Sequence, residues 1–115
     1  FYNKTFYKIP LNKIAYFESR GRIIFIHMAE SLTPGTFINK FYGKMNDIDK
    51  QISSMSNRFL RIHQSFLINY DYILNISLTH AVMMDGRHVQ ISEKRRKHTR
   101  ERFYWLLDAT GEKNK

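Results

Sequence analysis

The sequence predicts a mostly β protein with a short mid-chain helix and a C-terminal helix. Along most of the chain, apolar and polar residues alternate with a period of two, which is the pattern of half-buried strands. Residues 44–57 instead repeat apolar residues three and four positions apart, and residues 92–110 contain no Gly or Pro. We therefore expect one domain over residues 1–110 and a disordered tail at 111–115.

The strands can be assigned in order along the chain. Residues 9–28 are predicted to form two strands joined at Ser19-Arg20-Gly21, and Pro34-Gly35 to turn into a further strand at 36–42. After the mid-chain helix, the runs RFLRIH, SFLIN, YILNIS and AVMM resume the strand pattern. Asp85-Gly86 is a strong hairpin signal and is predicted to join AVMM to RHVQI.

The two helices are predicted from spacing and from end signals. Four apolar residues share one face of the mid-chain helix, and such a stripe favours core packing over a cofactor role. These residues are Met45, Ile48, Ile52 and Met55. The C-terminal helix is expected to begin with Ser92 as N-cap and Glu93 in the first turn, and to end before Gly111.

Composition excludes several function classes. The 115 residues include no cysteine, so disulfides, thiolate zinc sites and thiol catalysis are ruled out. No apolar run approaches the roughly 18 residues of a membrane helix, so we expect a cytoplasmic protein without a membrane partner. The N-terminus has neither a signal-peptide core nor an initiator Met, and we expect the chain to be cut from a longer protein.

The residues offer no motif for catalysis or metal binding. The five histidines form no HxH or HxxxH pair, the acidic residues are scattered, and no P-loop, GxSxG or GxGxxG occurs. His63 and Ser65 are not evidence for a base and nucleophile, because closeness along a strand does not bring two side chains into catalytic contact. We therefore predict no enzyme activity, no metal and no cofactor.

The charge favours a polyanionic partner. Nineteen Lys and Arg against ten Asp and Glu give a formal net charge of +9. Nucleic acid is the first candidate for such a chain, and a merely soluble basic surface is the alternative.

Three polar, mostly basic segments lie where predicted strands turn or end. They are Arg20-Gly21-Arg22, His63-Gln64-Ser65 and Ser92-Glu93-Lys94-Arg95-Arg96-Lys97. Arg donates bidentately to guanine or phosphate, Gln pairs with adenine, and N–H groups at a helix start attract phosphate. Each segment alone could be a solvated loop, but together they predict a nucleic-acid interface. Arg61 and His63 are interpreted as structural, and Asn69 as a turn residue that bonds its own backbone.

The core FLRIHQSFLIN, followed by YDYI, resembles the signature of the LytTR family of bacterial DNA-binding domains. Upstream, IPLNKIAYFESRGRIIFIHM is similar to the opening strands of that family, and DGRHVQISEKRRK to its later hairpin. The resemblance implies an elongated fold of three small β-sheets whose loops enter successive major grooves. It also implies the output domain of a two-component response regulator, behind an N-terminal receiver domain. Such a domain would be monomeric alone and bind paired direct repeats on double-stranded DNA as two copies.

By position, the resemblance implies three contact loops. The first is at Arg22 with Arg20 beside it, the second at Gln64 with Ser65, and the third after Ser92. Glu93 departs from the family pattern, in which Arg often follows the Ser, so base contacts there are open and the segment Lys94-Arg95-Arg96-Lys97 is expected to hold phosphates. Two other functions remain: a single-strand binder of OB type, and a basic protein-interaction or dimerisation module.

Overall fold

The strands form two antiparallel sheets in the computed structural model, which describes residues 9–29 and 40–111. The strands are β1 (Ile14–Arg20), β2 (Ile23–Met28), β3 (Lys40–Tyr42), β4 (Phe59–His63), β5 (Phe66–Asn69), β6 (Ile73–Ile76), β7 (His80–Met83) and β8 (His88–Gln90). Five strands make the larger sheet in the order β3-β2-β1-β5-β4, and β6-β7-β8 make the smaller one.

The mostly β prediction is confirmed, but the described residues form two sheets where three were expected. The reason is the pairing of β1 with β5, which brings Tyr16 opposite Ile68 and Glu18 opposite Phe66. This ladder merges the hairpin β1-β2 and the hairpin β4-β5 into one sheet. The molecule measures 41 × 27 × 27 Å along its principal axes, so the expected elongation is present.

The first hairpin turns slightly later than predicted. Arg20 pairs with Ile23, which leaves Gly21 and Arg22 as the turn. Gly21 has φ of +60°, a conformation that costs glycine little and other residues more. The predicted turn at Pro34-Gly35 and the start of the strand that follows lie outside the described residues, and β3 is described from Lys40 onward.

Helix α1 (Met45–Ser53) and helix α2 (Arg96–Thr110) occupy the two predicted helical regions. Three of the four residues in the α1 stripe are buried, but Met55 lies beyond the helix end and is 47% exposed, so its assignment to the core was wrong. A 3₁₀ turn at Glu93–Arg95 precedes α2, and Ser92 is its N-cap by position although its hydroxyl makes no capping hydrogen bond. Gly111 closes α2 in the left-handed conformation typical of such ends.

The larger sheet is buried on both faces. Helix α1 covers one face, where Phe17 and Ile24 are fully buried, and α2 with the smaller sheet covers the other, where Ile62 and Leu106 are fully buried. Full burial of an aliphatic side chain of this size contributes roughly 1.5–3 kcal/mol. The two cores therefore fix the central strands β1 and β5 and, with them, the turns at their ends. No helix in the described residues is long and apolar enough to cross a membrane.

Candidate nucleic-acid interface

Two of the three predicted contact segments meet at one end of the larger sheet. The turn Gly21–Arg22 follows β1, and the turn Gln64–Ser65 precedes β5, the antiparallel neighbour of β1. The N–H of Ser19 donates to the carbonyl of Ser65 at 2.9 Å, which continues the ladder to the end of both strands. The two turns are therefore side by side, although more than forty residues separate them in the chain.

The third segment lies against the same end of the sheet. Strand β4 is an edge strand, and its Ile62 carbonyl accepts a hydrogen bond of 2.9 Å from the N–H of Ser92. The 3₁₀ turn that carries Arg95 follows Ser92 directly and contacts β4. Burial, together with the guanidinium groups of Arg95 and Arg61, lowers the pKa of His63 at the end of that strand. The structure thus brings all three predicted segments together.

The Arg61 side chain holds the backbone of the turn Gln64–Ser65 through hydrogen bonds. The Arg61 guanidinium donates to the carbonyls of His63 at 2.8 Å and Gln64 at 2.7 Å, and it pairs with Asp49 of α1 at 3.2 Å. His63, uncharged at neutral pH because its pKa is lowered, accepts the N–H of Ser65 at Nδ1 over 3.0 Å. These bonds confirm the structural roles predicted for Arg61 and His63 and leave the Gln64 side chain exposed at the tip.

Asn69 confirms its predicted turn role and has a second one. Its side-chain oxygen accepts the N–H of Asp71 at 2.9 Å, and its amide donates to the Ile14 carbonyl at 2.9 Å. Asn69 is 1% exposed, and its bond to the Ile14 carbonyl is buried, whereas its bond to the Asp71 N–H is partly buried. Asn69 therefore ties the far end of β5 to β1 and takes no part in the candidate interface.

Beside the turns lies a buried carboxylate that the sequence interpretation missed. Glu18 of β1 is 6% exposed and accepts two hydrogen bonds from Arg87 at 2.9 and 3.1 Å. It also accepts two from Arg20 at 3.1 and 3.2 Å and contacts His27 Nε2 at 2.9 Å. A lone acidic residue in the apolar run IAYFES signals that a charged partner is required, but it does not say which residue supplies it.

Glu18, Arg87, Arg20 and His27 form the Glu18 cluster, in which the Glu18 carboxylate is ionised. Burial by itself would raise the pKa of Glu18, but hydrogen bonds from Arg87, Arg20 and His27 outweigh it and lower the pKa to about 2. The same carboxylate raises the pKa of Arg87 above its usual value. Burial lowers the pKa of His27, so that ring is neutral at pH 7 and donates its Nε2–H to Glu18. Since Arg87 follows β7, this cluster also joins the smaller sheet to the larger one.

Arg20 and Arg22 therefore differ in their surroundings. Arg20 is bonded to Glu18 and lies over the ring of Phe25 at 4.5 Å, although 59% of its side chain stays exposed. Arg22 is exposed and forms no ion pair with any residue that the structure describes. The Arg22 carbonyl accepts the N–H of Gly43 at 3.0 Å, which brings Tyr42, 74% exposed, and Lys44 to the same edge. These two were not predicted, because nothing in the sequence places β3 beside this turn.

Within the third segment, the side chains point in different directions. Glu93, Lys94 and Lys97 are exposed, whereas Arg95 and Arg96 are half-buried. Arg95 reaches the Ser92 hydroxyl at 3.5 Å, a distance at the limit of a hydrogen bond. The two lysines are therefore the cations of this segment that solvent reaches most easily.

In the described ranges, no three His, Asp or Glu side chains gather where they could hold a metal ion. The Glu18 cluster is a carboxylate held by cations, which is the arrangement of a structural ion pair. The interface as a whole carries exposed amide, guanidinium and ammonium groups, and such a donor-rich surface suits phosphates and base edges.

Comparison with known proteins gives a consistent result. The family profile described as the LytTr DNA-binding domain matches residues 4–104. Among solved structures, the chain is similar to the LytTr DNA-binding domain of a protein described as a methyl-accepting/DNA response regulator from Bacillus cereus. The TM-score is 0.66 at 18% identity, over 82% of this chain and 84% of that one, so this likeness shows a shared fold. No curated protein matches the chain.

The family profile spans most of the chain and includes all three contact segments. That family is one of DNA-binding output domains of response regulators and is not a catalytic family. The chain belongs to the LytTR family of DNA-binding domains.

Proposed function

We propose that this domain binds double-stranded DNA sequence-specifically, with the turns Gly21–Arg22 and Gln64–Ser65 entering the major groove. The observation that carries the proposal is the convergence of the three polar segments at one end of the larger sheet. Gln64 stands exposed on a turn whose backbone Arg61 holds in place, so its amide is presented to a base from a fixed backbone position. Arg22 is the matching reader on the first turn.

The remaining predicted residues act mainly on phosphates. Lys94 and Lys97 are exposed on the third segment, and Ser65 and Ser92 are half-buried in the second and third segments. Arg20 keeps a largely exposed side chain while bonded to Glu18, which suits a contact that positions the duplex. Contributions from Arg95 and Arg96 require their half-buried side chains to turn outward, and Glu93 serves the start of the helix.

In its parent protein, the domain acts as the output half of a cytoplasmic two-component response regulator behind a receiver domain. Two copies bind a pair of direct repeats, and the isolated domain is a monomer. Membership of the LytTR family supports this assignment.

Selection of bound duplexes from a random pool tests the proposal. We expect enrichment of two similar half-sites about one helical turn apart. Affinity for the selected duplex should fall steeply with salt, by about 0.9 in the logarithmic slope for each phosphate neutralised. An unenriched pool, or a slope near zero, would contradict DNA recognition by this surface.

Single variants then locate the interface. Arg22→Ala and Gln64→Ala should each cost about 1–3 kcal/mol on the selected site and much less on random duplex, whereas Lys97→Ala should weaken both alike. Lys13→Ala is the matched control, because Lys13 precedes β1 and lies at the opposite end of that strand from the turn. If Gln64→Ala leaves the ratio of specific to random binding unchanged, Gln64 is not a base reader.

The same material separates the two alternative functions. Preference for single-stranded over duplex oligonucleotides would favour an OB-type binder. No duplex binding at low salt, together with tight binding to a protein, would favour an interaction module.

A further inference from the structure

The Glu18 carboxylate is shared by two guanidinium groups that reach it from different sheets. Arg20, at the end of β1, donates to it through Nε and Nη2 at 3.1 and 3.2 Å. Arg87, between β7 and β8 of the smaller sheet, donates to it through Nη1 and Nη2 at 2.9 and 3.1 Å. Each guanidinium contacts both carboxylate oxygens, so the two arginines bind Glu18 in the same bidentate way.

The two arginines differ in how easily a duplex can reach them. The Arg87 guanidinium lies over the rings of Phe66 at 5.1 Å and Tyr16 at 5.7 Å. The Arg20 guanidinium lies over one ring, that of Phe25, at 4.5 Å. The Arg20 side chain is 59% exposed, whereas that of Arg87 is 35% exposed. Arg20 is therefore the more accessible of the two cations, and its bonds to the carboxylate do not involve Nη1.

The shared carboxylate leaves a net positive charge beside the turn Gly21–Arg22. Two guanidinium groups and one carboxylate together carry a charge of +1, and His27, which also contacts Glu18, is neutral at pH 7 because burial lowers its pKa. Without Arg87, the charges of Arg20 and Glu18 would cancel. A phosphate near Arg20 would then experience little attraction from the pair.

Arg87 also makes it easier for Arg20 to turn towards a phosphate. Glu18 is 6% exposed, and a buried carboxylate that loses its cationic partners is strongly destabilised. With Arg87 in place, the carboxylate keeps a bidentate partner while Arg20 rotates away. Without Arg87, the same rotation would leave Glu18 with no cationic partner among the described residues. The readiness of Arg20 to bind DNA thus depends on a residue of the smaller sheet.

We propose that Arg87 is a positioning residue for DNA binding: it keeps the Glu18 carboxylate paired, so that Arg20 can contact a backbone phosphate beside the turn Gly21–Arg22. The inference rests on the proposed function, in which Arg20 contacts phosphate. It adds a residue that the sequence does not place near the interface, since Arg87 is sixty-nine residues from Glu18 in the chain.

The salt dependence of binding to a random-sequence duplex of about 25 base pairs tests the inference, because its slope counts phosphate contacts. Fluorescence anisotropy of the whole chain and its variants gives Kd at several salt concentrations. Arg20→Met should reduce the slope of log K against log salt by about 0.9, which is one phosphate. Arg87→Met should reduce it by the same amount although Arg20 is unchanged. The variant with both substitutions should lose no more than either single variant.

A second substitution at Glu18 separates positioning from a direct contact by Arg87. In a chain that carries both Glu18→Gln and Arg87→Met, no carboxylate holds Arg20, so the slope should return close to its native value. A slope that stays about 0.9 lower would mean that Arg87 itself contacts a phosphate, and it would overturn the positioning role. Far-ultraviolet circular dichroism verifies that each variant is folded at the temperature of the binding measurement.

Two control variants separate the charge of Arg87 from its structural role. Arg87→Lys keeps a positive charge beside Glu18, so it should keep most of the native slope while its melting temperature falls with the loss of the guanidinium fork. Arg58→Met removes a guanidinium that pairs with Asp71 next to the far end of β4, and it should leave the slope unchanged. An equal loss in Arg58→Met would mean that net charge alone sets the slope, which would overturn the inference.

Failure of this inference can be told apart from failure of the proposed function. A native slope in Arg87→Met, with steep salt dependence in the unsubstituted chain, would overturn the role of Arg87 and leave DNA binding intact. A slope near zero in the unsubstituted chain would overturn both.

Discussion

Replacing Glu18 with Gln should destabilise this domain through a single, identifiable mechanism. The amide has nearly the shape of the carboxylate but no charge, so Arg87 and Arg20 lose the anion that they both contact. The Glu18 side chain is only 7% exposed, so solvent compensates little for this loss.

The size of the effect follows from the pKa of Glu18. A fall from the ordinary value of 4.5 to about 2 corresponds, at about 1.4 kcal/mol per unit, to about 3 kcal/mol of stabilisation by the ionised form. Because the folded pKa is the lower one, this stabilisation is complete above pH 4.5 and is lost as the pH falls towards 2. For a domain of this size, about 4 °C per kcal/mol gives a melting temperature about 12 °C lower at pH 7.

Urea unfolding followed by far-ultraviolet circular dichroism at pH 7, 5 and 3 measures the effect. The difference between the native chain and Glu18→Gln should be near 3 kcal/mol at pH 7 and shrink steadily below pH 4.5. Glu101→Gln makes the same chemical change at an exposed position of α2 and should stay within about 0.5 kcal/mol of the native chain. A difference that is below 0.5 kcal/mol, or that does not depend on pH, would refute the ion-pair reasoning.

Three further predictions concern the turns and the third segment. Arg61→Lys replaces the forked guanidinium, which donates to the carbonyls of His63 and Gln64 together, by a single ammonium group without that fork. Affinity for the selected duplex should therefore fall about tenfold while random-duplex affinity changes little. Fluorescence anisotropy measures both affinities, and equal losses would contradict the idea that Arg61 positions the turn. Glu93→Gln should bind all duplexes somewhat more tightly and lower stability by about 0.3–1 kcal/mol, whereas a selective loss on the preferred site would show instead that Glu93 reads cytosine. Asn69→Ala should cost about 2 kcal/mol in urea unfolding, because it leaves the Ile14 carbonyl and the Asp71 N–H without their partner, and an effect below 0.5 kcal/mol would mean that water replaces both bonds.

Local pattern was enough to predict most secondary structure. The period-two runs became strands, and Met45, Ile48 and Ile52 became the buried stripe of α1, because these features depend on residues within one turn or one strand. Spacing alone did not predict where the helix ends: Met55 fits the apolar spacing of α1, but the helix ends at Ser53. The motif around FLRIHQSFLIN also identified the family, and Arg61 and His63 have the structural roles that were expected of them.

The arrangement of the candidate interface was decided by tertiary structure. The turns at Arg22 and Gln64 meet only because β1 pairs with β5, and the periodicity of a strand does not name its neighbour. Likewise, Glu18 pairs with Arg87, which is sixty-nine residues away in the chain, and this contact joins the two sheets. Glu18 also pairs with Arg20 beside the interface. The sequence alone determined which residues have the chemistry to contact DNA, since that depends on side-chain type and local turns. Which of them stand free to do so depended on long-range packing, because burial and ion pairing are properties of neighbours in space.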